Sequence, residues 1–207
     1  MAEYITQIDY LILMFIQEHL RFDWLTKPMV FISRLGNSGL FWIILCLVLL
    51  VFKRTRTMGA CGLLALLIGA LITNVALKNM VARIRPYEQF SDIILLLERQ
   101  KDFSFPSGHA CSSFAAACGI YWAECKSAFD SKYPILASKR RIIGILALVL
   151  AVLISWSRLY VGVHFPTDVL CGVLIGIFSA WVALCIMEMI KNRKLGVQGS
   201  RNMKEDD

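Results

Sequence analysis

Three short polar stretches place cations, histidines and a carboxylate at the ends of apolar segments. They are Lys78 with Arg85-Pro86, the run Pro106-Ser107-Gly108-His109, and Ser157-Arg158 with His164 and Asp168. Arginine donates in a planar fork that matches phosphate oxygens. A helix that starts at Ser107 and Gly108 would add free backbone amides and the positive end of its dipole. If the stretches converge, they favour a multiply charged oxyanion such as phosphate.

The two histidines of these stretches have different neighbours, which indicates different tasks. Asp168 follows His164 by four residues, so its carboxylate can orient one ring nitrogen and leave the other as a nucleophile. His109 has no such carboxylate and suits a general acid for the departing oxygen. A phosphohistidine intermediate is then chemically reasonable. We expect no metal and no cofactor, because the cations already stabilise charge in the transition state.

These groups need a scaffold, and the composition indicates an all-α integral membrane protein of one domain. The chain has 207 residues, of which 57% are hydrophobic and 18% charged. Its formal net charge of +7 comes from cations between apolar runs, so a nucleic acid is not an expected partner. The seven cysteines lie mostly in apolar stretches and include no CxxC pair, which favours packing over metal or redox chemistry.

Runs of apolar residues predict a bundle of six transmembrane helices. Two further helices are predicted to lie at the membrane interface, an N-terminal one over Ile5–Leu20 and a short one over Ser91–Leu97. The second lies in the long connection between the third and fourth spans, residues 85–106, which we call the outer connection. The first span is the weakest, because it contains Asp23, Lys27 and Arg34. The six predicted spans are Phe22–Leu35, Leu40–Phe52, Gly59–Leu77, Ala110–Ala123, Ile142–Trp156 and Val169–Ile190.

Basic residues cluster at 53–56, 126–141 and 191–204, and the positive-inside rule assigns all three clusters to the cytoplasmic side. With six spans, both termini are then cytoplasmic and the polar stretches face outward across the plasma (cytoplasmic) membrane. The transmembrane domain is predicted at 1–195, followed by a solvated cytoplasmic tail at 196–207. Gly172 and Gly176 form a GxxxG pair, which suits packing within the monomer or a homodimer.

Charged residues of the outer connection outside the three stretches are expected to be mostly solvated. Arg83 is expected to contact the headgroup phosphate rather than to take part in catalysis. The carboxylates of this connection, Asp102 among them, are expected to be exposed to solvent, although one or two could contact the substrate.

At these residues the sequence resembles the type 2 phosphatidic acid phosphatase (PAP2) superfamily. The signature Lys-x6-Arg-Pro, Pro-Ser-Gly-His and Ser-Arg-x5-His-x3-Asp is complete and in order between Lys78 and Asp168. The resemblance implies His164 as nucleophile, His109 as acid and Asp168 as the residue that orients His164. It also implies that phosphate is bound by Lys78, Arg85, Ser107, Gly108 and Arg158.

A small member of this superfamily is similar to bacterial membrane lipid phosphatases. The expected substrate is undecaprenyl diphosphate, converted to undecaprenyl phosphate and phosphate, with phosphatidylglycerophosphate and phosphatidate as alternatives. Transfer of the phosphoryl group to an acceptor other than water stays open. A non-catalytic protein that binds or transports lipid phosphates is the alternative from another class, and an oriented His164 argues against it.

Overall fold

The computed structural model describes residues 2–129 and 134–205, and every regular element in these ranges is helical. A 3-10 turn at Asn37–Gly39 joins α2 to α3, and a π-helical segment at Leu71–Leu77 joins α4 to α5. The prediction of an all-α chain is confirmed for the described part. The helices are α1 (Ala2–His19), α2 (Asp23–Leu35), α3 (Leu40–Val51), α4 (Arg56–Ala70), α5 (Lys78–Val81), α6 (Pro86–Gln89), α7 (Gly108–Phe129), α8 (Pro134–Tyr160) and α9 (Pro166–Glu205).

Helix α7 is the centre of the bundle and packs against α4, α8 and α9. Its middle consists of small residues, and Ala115, Ala116 and Ala117 are completely buried. A Cβ at Gly119 would lie 3.2 Å from the carbonyl oxygen of Cys61, so the backbones of α7 and α4 approach closely. Close approach through small residues stabilises helix pairs that gain no hydrophobic driving force from lipid.

The GxxxG pair of α9 packs inside the monomer. A Cβ at Gly172 would lie 2.5 Å from the carbonyl oxygen of Ser107, and one at Gly176 would lie 2.6 Å from that of Cys111. The first contact is with the residue just before α7 and the second is with the backbone of α7, so larger side chains would push α9 away from α7. Of the two roles that the sequence left open, these contacts support packing within the monomer.

Large apolar side chains cover the outside of the bundle, as in a protein surrounded by lipid. Leu47 on α3, Val149 on α8 and Leu174 on α9 are each about half exposed. Among the described residues, three helical stretches are long and apolar enough to cross a membrane: Arg56–Gln89, Arg141–Tyr160 and Pro166–Arg193. The bent pair α2–α3 would add a fourth if it counts as one span, and α7 is less apolar than these.

Helix α1 runs along the outer connection. The Asp9 carboxylate near its start accepts a hydrogen bond of 2.8 Å from Nη2 of Arg83. Near its end, Nε2 of Gln17 donates to the carbonyl oxygen of Asp92 at 2.9 Å. Contacts at both ends of α1 therefore reach the segment that follows the third predicted span.

Helix α2 contacts the last turn of α8 at both of its ends. The amide of Phe22 donates to the Tyr160 hydroxyl at 3.1 Å, and Nη1 of Arg158 donates to the hydroxyl of Ser33. Tyr160 and Arg158 are only two residues apart, so α2 lies across the end of α8. It meets α3 at a bend of 49°. The sequence counted these two helices as separate spans, whereas the structure joins them into one bent pair.

The predicted interfacial helix at Ser91–Leu97 is wrong in position, because this segment is not helical. Its apolar side chains fill the outer end of the bundle instead: Ile93 is buried and packs with Phe165. The amide of Leu96 donates to the carbonyl oxygen of Val161 at 3.1 Å, a bond that a helix would use internally. The short helix of the outer connection is α6, which begins with proline at a position where no amide donor is needed.

The backbone of α9 is helical through Glu205 and so includes residues 196–205 of the predicted tail. The domain boundary at 195 and the solvated tail stay predictions. Several basic residues used to predict orientation, at 132–140 and 194–204, lie outside the residues whose side chains the structure describes.

Candidate active site

The three polar stretches converge at one end of the bundle. Lys78 begins α5, Arg85 precedes α6, Arg158 lies in the last turn of α8, and His164 occupies the turn between α8 and α9. Nη1 of Arg85 lies 3.5 Å from Nε2 of His164, although 79 positions separate the two residues in sequence. We call Lys78, Arg85 and Arg158 the cationic cup.

His164 is almost completely buried and is held by groups on one side of its ring. Its Nδ1 lies 3.8 Å from Oδ2 of Asp168, too far for a direct hydrogen bond. Ser104 lies between them, because its hydroxyl donates to Oδ2 of Asp168 at 2.5 Å and is 3.4 Å from Nδ1 of His164. The amide of Phe165 also donates to this oxygen, at 2.9 Å. Asp168 thus faces the ring with its charge and is linked to it through the Ser104 hydroxyl.

This environment keeps His164 neutral at physiological pH. Burial, together with the positive charges of Arg85 and Arg158, lowers the pKa of His164 to about 4 against the opposing effect of Asp168. With Nδ1 facing a carboxylate and a hydroxyl, we assign the ring proton to Nδ1. The lone pair of Nε2 is then directed toward Arg85, where a bound phosphate would lie.

Arg85 is fixed by the backbone as well as by a carboxylate. Its Nη1 donates to the carbonyl oxygen of Val163 at 2.8 Å, and its Nε donates to that of Asp102, also at 2.8 Å. The Asp102 carboxylate accepts from Nη2 of Arg85 at 2.5 Å and forms an ion pair with Lys78. Burial raises the pKa of Asp102, but Lys78 and Arg85 outweigh it and bring this pKa to about 2. Asp102 is about half exposed, as expected, but it also bridges two cations of the cup.

Arg158 offers unused donors in the described structure. Its side chain is 1% exposed, and Nη1 is engaged by Ser33. Its Nε and Nη2 atoms are buried and have no hydrogen-bond partner among the described residues. A buried hydrogen-bond donor without a partner destabilises a folded protein. Both atoms are therefore suited to donate to the oxygens of a bound anion.

The start of α7 contributes its two predicted residues in different ways. The Ser107 amide is already used, since it donates to the carbonyl oxygen of Asp168 at 3.0 Å and joins α7 to α9. At Gly108, a Cβ would meet only Oδ1 of Asn74 at 3.6 Å and Nζ of Lys78 at 3.9 Å. Gly108 thus lies beside the Lys78 ammonium, and a methyl group there would make only ordinary van der Waals contacts. Ser107, in contrast, has a packing role that the sequence did not indicate.

His109 is held by a turn that the sequence analysis missed. Its Nε2 lies 3.0 Å from Oδ1 of Asn37. The preceding Gly36 allows this approach, because a Cβ there would lie 2.6 Å from Cδ2 of His109. Ser38 follows with a φ of 55°, a strained value for a residue with a side chain. No spacing rule links residues 36–38 to His109, so the sequence does not indicate that these residues contact the histidine.

A cavity of about 560 Å³ opens beside His109 and Lys78. Its lining includes polar residues such as Asn37, Asn74 and Asp102 and apolar residues such as Ile43 and Leu66. A phosphate group at the cup would thus continue into an apolar region between helices. Among the described residues, no group of three or more His, Cys, Asp or Glu side chains is arranged to hold a metal ion.

The expectation that Arg83 contacts the headgroup phosphate is not supported. Its Nη1 donates to Oδ1 of Asp168 and to the Thr167 hydroxyl, each at 2.7 Å, and its guanidinium lies 4.0 Å from the centre of the Phe165 ring. Arg83 thus lies behind Asp168. In the sequence, the sign that Arg83 lies near the site is its position two residues before Arg85.

Comparison with known proteins gives consistent matches. The model of the PAP2 superfamily matches residues 59–192. The chain is 32% identical to an undecaprenyl-diphosphatase of Sulfolobus acidocaldarius over 78% of this chain and 68% of that protein. It is 33% identical to the phosphatidylglycerophosphatase B of Bacillus subtilis over 83% of this chain and 80% of that protein.

Among solved structures, the fold is similar to the crystal structure of a transmembrane PAP2 type phosphatidylglycerolphosphate phosphatase from Bacillus subtilis. The TM-score is 0.72 at 30% identity, over 90% of this chain and 88% of that one. The complete three-part signature, its convergence in space and these matches lead to one conclusion: the chain belongs to the PAP2 superfamily.

Proposed function

We propose that this PAP2 lipid phosphatase acts through a covalent phosphohistidine at His164, without a metal. Nε2 of His164 attacks phosphorus, forming an N–P bond as the bond from phosphorus to the lipid oxygen breaks. His109 donates a proton to that leaving oxygen. Water then attacks phosphorus and gives a proton to His109 as the N–P bond breaks, which releases phosphate and the free imidazole of His164.

The observation that carries this proposal is the position of a neutral, buried His164 against the cationic cup. A binding protein would need the cations of the cup, but it would not need a histidine whose unprotonated Nε2 faces them at 3.5 Å from Arg85. The free donors of Arg158 and the ammonium of Lys78 are suited to the equatorial oxygens of a transferring phosphoryl group.

Undecaprenyl diphosphate is the substrate we place first, with phosphatidylglycerophosphate and phosphatidate next. The relatives named above are called an undecaprenyl-diphosphatase and a phosphatidylglycerophosphatase, so both classes are supported. The apolar part of the cavity fits a lipid chain that enters between helices. Parallel measurement of kcat/KM on these three lipids decides among them.

We further propose that the site lies on the extracytoplasmic face of the plasma membrane and that five elements cross it: the bent pair α2–α3, α4 with its π-helical continuation, α7, α8 and α9. This differs from the six spans and from the cytoplasmic N-terminus expected from sequence, because α2 lies across the outer end of α8. Helix α1 is then outside, alongside the active site, and the end of α9 is cytoplasmic. Tags at the two termini, tested for protease access in intact cells, check this arrangement.

The decisive experiment is phosphate release from a lipid phosphate by purified protein in detergent with EDTA. His164→Ala should abolish release while thermal unfolding remains cooperative. His19→Ala is the matched control, since His19 is exposed at the end of α1 and far from the three motifs in sequence. Turnover that survives in His164→Ala would exclude the nucleophile, and loss of activity in EDTA would exclude a metal-free reaction.

A further inference from the structure

A chain of buried charges runs from α1 to the back of the Asp168–His164 pair. Nη2 of Arg83 donates to Oδ2 of Asp9 at 2.8 Å, and Nη1 of the same guanidinium donates to Oδ1 of Asp168 at 2.7 Å. The side chains of Asp9 and Asp168 are 1% and 0% exposed, and that of Arg83 is 16% exposed. Charges buried to this degree are retained only when each is paired.

The two oxygens of Asp168 have separate partners. Oδ2 accepts from the Ser104 hydroxyl and the Phe165 amide and faces Nδ1 of His164. Oδ1 accepts from Arg83. Arg83 therefore touches neither the imidazole nor the expected position of a phosphate, and it acts on the nucleophile only through Asp168.

Asp9 is anchored on its other side by the start of α9. Its Oδ1 accepts from the Thr167 amide at 3.0 Å, and its Oδ2 accepts from the Thr167 hydroxyl at 2.5 Å. These bonds hold the carboxylate in place next to Arg83. An N-terminal helix that needed only to rest on the bundle would have no reason to bury an acidic residue there.

The electrostatic effects of Arg83 and Asp9 on the pair have opposite signs. A positive charge at Oδ1 lowers the proton affinity of Asp168 and of the imidazole beside it, whereas the negative charge of Asp9 partly cancels Arg83. The other charged or titratable groups around the pair lie on different elements and stay unchanged in the variants below. They are Arg85, Asp102, His109, Arg158 and Cys171.

We propose that Arg83 and Asp9 are positioning residues for phosphoryl transfer. Asp9 holds Arg83 in place, and Arg83 acts through Asp168 to fix the orientation of the His164 ring and to keep that ring unprotonated. Helix α1 thereby becomes part of the active site. The inference rests on the proposed role of His164, because only a nucleophile needs its ring held unprotonated and in a fixed orientation.

The test compares Arg83→Gln, Asp9→Asn and Arg83→Lys with the unchanged protein. The chain has three histidines, so ring-labelled histidine gives three NMR titrations in detergent, and His19 and His109 are assigned by substitution. The pH midpoint of the His164 ring titration is measured in the substrate-free protein. The pH dependence of kcat/KM is measured on one soluble short-chain lipid phosphate, so that ionisation of the substrate is common to all variants.

Arg83→Gln should move the His164 midpoint up by about one pH unit from its value near 4, with a matching upward move of the acid limb of kcat/KM. Asp9→Asn should move the midpoint down, because Arg83 then acts on Asp168 uncompensated. Arg83→Lys keeps the charge, so its midpoint should stay near that of the unchanged protein, while kcat falls because the fork geometry is lost.

Asp92→Asn is the control, since it removes another contact of α1, with the Tyr10 hydroxyl, at an exposed position. It should leave the midpoint unchanged. Midpoints that coincide in all variants, or that move in the same direction in Arg83→Gln and Asp9→Asn, overturn the proposal. If Arg83→Gln does not fold, Asp9→Asn decides alone, because a loosened α1 would admit water and move the midpoint toward the ordinary value rather than down. Activity that persists in His164→Ala would instead remove the nucleophile, a separate failure.

Discussion

Replacement of Asp102 by asparagine should tighten the binding of inorganic phosphate. The Asp102 carboxylate bridges Arg85 and Lys78, two cations that a substrate phosphate would also use. A phosphate that enters the cup has to displace this carboxylate or share the cations with it. Asparagine keeps the shape of the side chain but removes its charge. Arg85 keeps its bonds to the carbonyl oxygens of Asp102 and Val163, so the cup itself is preserved.

The size of the effect follows from the exposure of the carboxylate. Asp102 is 52% exposed, so each of its two ion pairs is screened and contributes about 0.5 kcal/mol. Removal of both competing ion pairs should therefore make the free energy of phosphate binding about 1 kcal/mol more favourable, which corresponds to roughly fivefold tighter binding of phosphate. Because Asp102 has a pKa of about 2, it stays ionised over the whole assay range, and the difference should not depend on pH above about 4.

The assay is inhibition of hydrolysis by inorganic phosphate, with a short-chain lipid phosphate as substrate. The inhibition constant should fall about fivefold in Asp102→Asn at low salt, and the difference should shrink at about 1 M salt, where screening is strong. Glu98→Gln, at an exposed position of the same connection, should change neither value. Unchanged or weaker inhibition in Asp102→Asn would show that Asp102 holds Arg85 and Lys78 in place rather than competing with phosphate for them.

Three further results are expected. His109→Ala should lose about 10²- to 10⁴-fold in kcat on an alkyl phosphate but much less on an aryl phosphate, whose leaving oxygen needs no proton; equal losses on both would exclude the general acid. Gly36→Ala should lower kcat with little effect on KM, since its Cβ would lie 2.6 Å from the His109 ring; an unchanged kcat would show that the turn can shift. The kcat/KM value should fall as pH drops through about 4, because protonation of His164 in the free enzyme removes the attacking lone pair, and should show no loss from this group above about pH 5. After allowance for ionisation of the substrate, a loss of kcat/KM centred near 6.5 would contradict a neutral, buried ring.

Much of the site follows from sequence because its residues lie in three compact motifs at helix ends. The four-residue spacing brings His164, in the turn before α9, next to Asp168 in the first turn of α9. The apolar runs of α4, α8 and α9 are long enough to identify directly. The structure places these motifs together, while the roles of individual residues remain predictions to be tested as above.

Other contacts were beyond the reach of sequence patterns because they join elements far apart in the chain. Asp9 meets Arg83 across 74 positions, and Ser104 meets Asp168 across 64. No periodicity links such pairs. The short apolar run at Ser91–Leu97 was assigned to a helix, because sequence does not show that its amides bond to the end of α8. Similarly, hydropathy counts α2 as a span and does not reveal its contacts with Tyr160 and Arg158.

The π-helical segment before Lys78 sets the direction in which this ammonium points. A π turn accommodates about one residue more than an α turn, and each residue of a regular helix rotates the chain by about 100°. Removal of one residue at Val75, which faces outward, would let Leu71–Leu77 return to ordinary α-helical winding. Lys78 would then keep nearly its present direction, because the deletion removes the residue that the wider turn accommodates. If the unshortened segment followed ordinary α-helical winding instead, Lys78 would be rotated by about 100° although every side chain of the signature would still be present. The direction of the ammonium is thus set by the winding of this segment as well as by the motif.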